Sequence, residues 1–161
     1  MDERTRVLLV ANGAGLWITV VLTGWMYMFM LLGEIVLFPV LPSIDVQIPG
    51  EARAWNMAHL EGITNGLLLM GLAALSPLLT LSDKQNRILF WSAVITGWGF
   101  TLPAWANALA GTRGLAFGGG PFPGGIANDL IYLAGWPPVV AVHFVVGLML
   151  WGAIQRLRAL S

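Results

Sequence analysis

Residues 54–81 read AWNMAHLEGITNGLLLMGLAALSPLLTL, a long apolar run with His59, Glu61 and Asn65 close together inside it. About 20 predominantly apolar residues cross a bilayer core as a helix, so length alone makes this a membrane span. Polar side chains are expensive in hydrocarbon. They persist where they carry chemistry or find a partner inside the protein. Fold and function both turn on how this stretch is read.

The rest of the chain agrees with a membrane origin. Of 161 residues, 57% are hydrophobic and only 10% charged, whereas a soluble domain has roughly 25% charged residues. So much apolar surface cannot be hidden in a core of this size. The net charge is zero and the eight basic residues are scattered, which leaves no electrostatic footprint for nucleic acid. There is no cysteine. That excludes disulfides, thiolate catalysis, iron–sulfur clusters and haem held or attached by cysteine.

Three further apolar stretches, at about 7–32, 88–110 and 130–154, complete a set of four spans. The expected fold is an all-α integral membrane protein, one four-helix domain over residues 1–161. The first run continues from Val7 to Leu32, too long for a signal peptide, and is read as a retained helix. The connections are a loop with Pro39, Pro42 and Pro49, a short SDKQNR turn at 82–87, and GTRGLAFGGGPFPGG at 111–125. Arg4, Arg6, Lys84, Arg87, Arg156 and Arg158 fall on one side of such a bundle, and Arg53 and Arg113 on the other. The positive-inside rule then predicts cytoplasmic N and C termini.

His59 lies about five residues into the second helix, roughly 8 Å along its axis. Gly62 and Gly66 follow on the same face, giving a histidine above a strip without side chains. Such a strip is a helix-packing motif. It is equally a surface along which a flat ligand such as haem could lie while the imidazole holds the iron. His59 is therefore either a metal ligand or a buried, hydrogen-bonded histidine. The other histidine, His143, lies about 12 Å deeper by helical rise, so one iron cannot be shared between the two. A single-histidine site with an open coordination position is what remains, and open positions are where metals do chemistry.

Asn65 either orients a polar substrate atom or ties two helices together. Glu61 needs a proton, a cation such as Arg113, or the aqueous rim. Asp129 is expected to cap the fourth helix. Trp98 and Trp105, seven residues apart on one face, are either core or the wall of a cofactor or substrate site. No H-E-x-x-H, nucleophile elbow or phosphate-loop motif occurs.

Taken together, AHLEGITNG at 58–66, SDKQNR at 82–87, GW at 97–98 and TRGLAFG at 112–118, with the Gly/Pro-rich loop and Asp129, resemble the styrene oxide isomerase family. The likeness runs from about Trp55 to Asp129. It implies a small integral protein of the bacterial cytoplasmic membrane, a homotrimer with haem b at its subunit interfaces. Ferric haem acts in that family as a Lewis acid on an epoxide oxygen, and a 1,2-hydride shift then gives a carbonyl compound without net redox change. The resemblance makes His59 the axial ligand, Gly62 and Gly66 the porphyrin's neighbours, Asn65 a catalytic residue on the substrate side and Arg113 a partner for the propionates. The substrate expected is a small apolar epoxide. The alternative on the same scaffold is a non-catalytic haem b protein, a sensor or electron carrier. This chain departs from the family at Glu61, where a small residue is usual, and at Thr96 and Ala104, where an aspartate and a tyrosine are usual. Weak activity on styrene oxide itself is expected from these changes.

Overall fold

Four rods long and apolar enough to cross a membrane build the molecule, at Glu3–Leu32, Ala52–Leu78, Asp83–Ala110 and Ile126–Arg158. The structure, a computed structural model, describes residues 1–161. Its elements are α1 (Glu3–Leu32), β1 (Glu34–Ile35), β2 (Ile44–Asp45), α2 (Ala52–Leu75) with a 3₁₀ turn at Ser76–Leu78, α3 (Asp83–Ala110), α4 (Ile126–Ala134) and α5 (Trp136–Arg158). β1 and β2 form a two-residue antiparallel pair in the first loop.

Local chemistry sets the ends. Asp2 caps α1 by accepting the Thr5 N–H at 2.8 Å, and hydrogen bonding from the Thr5 side chain and backbone holds its carboxyl below the usual carboxylate range. α3 begins earlier than the apolar run alone predicts. A capping box explains it: the Ser82 N–H donates to Gln85 Oε1 at 2.9 Å and the Gln85 N–H to Ser82 Oγ at 3.4 Å. α1 and α3 both stop at a glycine in the left-handed region, Gly33 and Gly111.

The fourth span is the larger difference. It is two helices meeting at Gly135, with Pro137 and Pro138 in the first turn of α5. Prolines have no N–H to continue the preceding ladder but are tolerated in a first turn, so α5 starts afresh. Asp129 does not cap this span. α4 has Gly125 at its cap position and no side-chain cap bond.

α2 lies between α1 and α3, and α5 packs on α3. Leu9, Leu16, Leu69, Leu72, Leu89, Ala93 and Val145 form the buried core. At this end Arg6 Nε donates to the Ala73 carbonyl at 2.9 Å and the Thr80 N–H to the Gly152 carbonyl at 3.1 Å. Ile18, Val21, Leu67, Val146 and Leu150 are exposed, as lipid contact requires. The opposite end, towards Arg53 and Arg113, is where the bundle opens.

Candidate active site on two faces of one helix

Two residues along a helix turn a side chain by about 200°, so His59 and Glu61 leave α2 in opposite directions. His59 faces α1. Its Nδ1 lies 3.0 Å from the Val20 carbonyl and 3.3 Å from Thr23 Oγ1. A carbonyl only accepts, so Nδ1 carries the ring proton and Nε2 keeps its lone pair. Gly24 makes room for the ring: a Cβ there would stand 3.2 Å from His59 Cε1. Nε2 has no hydrogen-bond partner, yet the enclosed polar side-chain atoms without partners are Thr96 Oγ1 and Trp105 Nε1. His59 Nε2 therefore opens on the outside of the chain. Ligating histidines characteristically donate their other ring N–H to a carbonyl or carboxylate, which fixes tautomer and orientation. His59 fits an axial-ligand role on this chemistry. His143 is different: it is exposed on α5 with Nδ1 2.6 Å from the Val139 carbonyl of its own helix.

The glycine strip departs from its expected use. Gly62 and Gly66 are buried against α1. A Cβ at Gly62 would come within 2.7 Å of Val20 Cγ2, and one at Gly66 within 3.2 Å of the Gly13 carbonyl oxygen. The strip is a packing seam, closed within one chain, and a flat ligand has no access to it. The packing reading of the motif describes this geometry.

On the other side of α2 lies a cavity of about 600 Å³. α2 contributes Met57 and Glu61, and α3 contributes Phe100, Pro103 and Ala104. Arg113 and Phe122 come from the glycine-rich loop, Tyr132 from α4, and Trp136 and Val139 from α5. Glu61 is not paired with Arg113. Its Oε2 accepts from Asn65 Nδ2 at 3.0 Å, and Asn65 Nδ2 also donates to Thr101 Oγ1 at 3.2 Å. Asn65 is buried and does not line the cavity. It stands behind Glu61 and ties α2 to α3, so the direct substrate contact expected of it is not made within one chain. The Arg113 guanidinium sits 4.5 Å from the centroid of the Phe122 ring, a cation–π contact.

Of the two departures on α3, Ala104 lines the cavity while Thr96 is buried away from it. Trp98 is no cavity wall either. Its Nε1 donates to Asn12 Oδ1 of α1 at 2.9 Å. Trp105 packs edge-on against Trp55, centroids 6.0 Å apart.

One organising residue escaped the sequence reading. Asn128 is fully buried, accepts the Gly114 N–H at 3.1 Å and donates to the Ala116 carbonyl at 2.8 Å. Asp129 beside it accepts the Gly118 N–H. These two side chains hold the glycine-rich loop over the cavity. An amide and a carboxylate directly after a loop rich in free N–H groups was the available signal.

A styrene oxide isomerase family model matches residues 5–154. The chain belongs to the styrene oxide isomerase family. A curated relative, the styrene-oxide isomerase of Pseudomonas fluorescens, is 26% identical over 120 residues, which is 73% of this chain and 66% of that protein. The match thus spans slightly less than two thirds of the relative's length.

Proposed function

We propose that this protein is a haem-b-dependent membrane isomerase that opens a small apolar epoxide to a carbonyl compound by a 1,2-shift. The observation that carries the reading is the His59 imidazole, with Nδ1 committed to the Val20 carbonyl and Nε2 left open at membrane depth. Ferric haem b held through that nitrogen would supply a Lewis acid for an epoxide oxygen.

The chain's own residues do the rest. The Val20 carbonyl and Thr23 fix the imidazole. Met57, Pro103 and Val139 exclude water from the apolar body of the substrate. Phe100, Tyr132 and Trp136 offer π faces to positive charge developing on carbon. Arg113 supplies a fork for a propionate. Asn65 acts as a positioning residue through Glu61.

His59 and the cavity face opposite ways, so one chain cannot bring both to one substrate. A head-to-tail arrangement, with the cavity of one copy against the His59 face of the next, closes into a ring. The family resemblance makes that ring a homotrimer, with the haem between subunits. By the positive-inside rule the end bearing both termini faces the cytoplasm, and the bacterial cytoplasmic membrane is the location assigned.

Absorption spectra of the detergent-purified protein, oxidised and reduced, test the reading. A b-type spectrum with epoxide turnover supports it. The same spectrum without turnover of any epoxide favours a non-catalytic haem protein. A protein that stays colourless after reconstitution with haem overturns both.

A further inference from the structure

We infer that Glu61 is a specificity residue, and that the cavity selects a substrate whose apolar body carries a hydrogen-bond donor, a hydroxyl or an ammonium. The inference rests on the cavity being the substrate site and names the class of substrate it takes.

The cavity has a polar mouth and, deeper in, one charged side chain among apolar walls. Arg53 in the first turn of α2 and Arg113 in the loop mark the mouth. Glu61 is eight residues further along α2, roughly 12 Å deeper by helical rise. On the opposite wall Ala104 is the lining residue of α3 nearest that depth, since Asn65, one turn further along α2, bonds Thr101 of α3.

The Glu61 side chain is set in place. Oε2 is held by Asn65, which is itself held by Thr101. Oε1 has no partner in the protein, and it is not among the enclosed unpartnered atoms. An acceptor fixed on one oxygen and open on the other, on the wall of an apolar cavity, is costly to leave unpaired. A ligand that donates there removes the cost; a hydrocarbon end does not. The discrimination comes mainly from refusing the wrong ligand, as in sites that reject an analogue lacking one hydroxyl.

The test uses inert probes, so it depends on neither haem nor turnover. Binding of 3-phenylpropan-1-ol, propylbenzene and 3-phenylpropylamine to the full chain in detergent is measured by calorimetry, corrected for micelle partition. Wild type should bind the alcohol about tenfold or more tighter than the hydrocarbon. Glu61→Leu should bring that ratio near one. Glu61→Gln keeps its oxygen on Asn65 and turns an N–H to the cavity. A hydroxyl can accept from it and an ammonium cannot, so this variant should retain part of the alcohol preference while losing about tenfold or more for the amine. An unchanged alcohol-to-hydrocarbon ratio in Glu61→Leu overturns the inference. If that variant does not fold, unchanged amine affinity in Glu61→Gln overturns it. Ala104→Trp should abolish binding of all three probes by filling the cavity. Retained binding there removes the cavity as substrate site, whereas its loss together with an unchanged ratio in Glu61→Leu removes only the role of Glu61.

Discussion

Helix α2 meets α1 and α3 through two surfaces built on different plans. Towards α1 it presents Gly62 and Gly66, and backbone approaches backbone closely enough that a single methyl group would collide. Towards α3 and α5 it presents Met57 and Glu61, with Asn65 holding the carboxylate in place beside a cavity of about 600 Å³. The first surface is filled and carries one polar group with a free valence, His59 Nε2. The second is hollow and carries several. Close packing on one side holds the imidazole rigid, and a void on the other admits a ligand. Under the proposed function neither surface alone would be a complete reaction site, which is the reason for proposing a ring of copies.

The largest effect should come from the imidazole itself. His59→Ala removes the proposed iron ligand, and the Soret band should be lost completely from the purified protein. His143→Ala should leave the band intact, since that side chain bonds only to its own helix. A Soret band surviving in His59→Ala would break the division of labour between the two faces.

The hollow face sets the next expectation. Ala104 leaves a methyl group on the cavity wall where the family has a phenol. Loss of a positioned hydrogen-bond donor in such a site typically costs about 2.7–4 kcal/mol, roughly 100- to 1,000-fold in rate. Styrene oxide turnover should therefore be lower by about that factor than in the Pseudomonas fluorescens relative. Ala104→Tyr should recover part of it. Equal turnover in the two wild-type proteins would show that Tyr132, also on the cavity wall, already supplies what Ala104 lacks.

The filled and hollow faces were not equally legible in the sequence. Four spans were readable because about 20 apolar residues have few other uses. The break at Gly135 was visible in principle in the adjacent Pro137 and Pro138, but a continuous apolar run hid it. The isolation of His59 from His143 followed from helical rise alone. The use of the glycine strip did not, because G-x-x-x-G says only that something comes close; the deciding partners, Gly13 and Val20, lie some 40 to 50 residues away on α1. The Glu61–Asn65 bond has the (i, i+4) spacing of neighbours on a helix, whereas the cavity depends on where Asn128 pins a distant loop.

A smaller effect is expected at the cavity mouth, where the two faces of neighbouring copies would meet. Arg113 stacks on Phe122 and so keeps its guanidinium fork directed by a rigid ring. A charge-assisted bond to a propionate is worth about 1.5–3 kcal/mol, so Arg113→Ala should weaken haem retention by roughly 10- to 150-fold in a competition with apomyoglobin. Arg113→Lys keeps the charge without the fork and should fall between the two. Unchanged retention in Arg113→Ala would separate the cavity mouth from the cofactor.

The smallest effect tests the seam directly. A Cβ at Gly66 would collide with Trp17 Cδ1 and stand 3.2 Å from the Gly13 carbonyl oxygen. The indole has room to swing outward, but the α1 backbone must give way. Overpacking of this kind costs about 1–3 kcal/mol, partly offset by the roughly 1 kcal/mol that alanine gains over glycine in a helix. Gly71, on the same helix, has nothing within 4 Å of the same methyl position, so Gly71→Ala should be neutral or slightly stabilising. Thermal unfolding of both variants in detergent measures the difference, and haem per folded protein supplies the second reading. Gly66→Ala should melt lower than Gly71→Ala while binding as much haem per folded chain. Wild-type stability combined with lost haem in Gly66→Ala would mean that the strip touches the porphyrin after all, and that α1 moves aside to let it in.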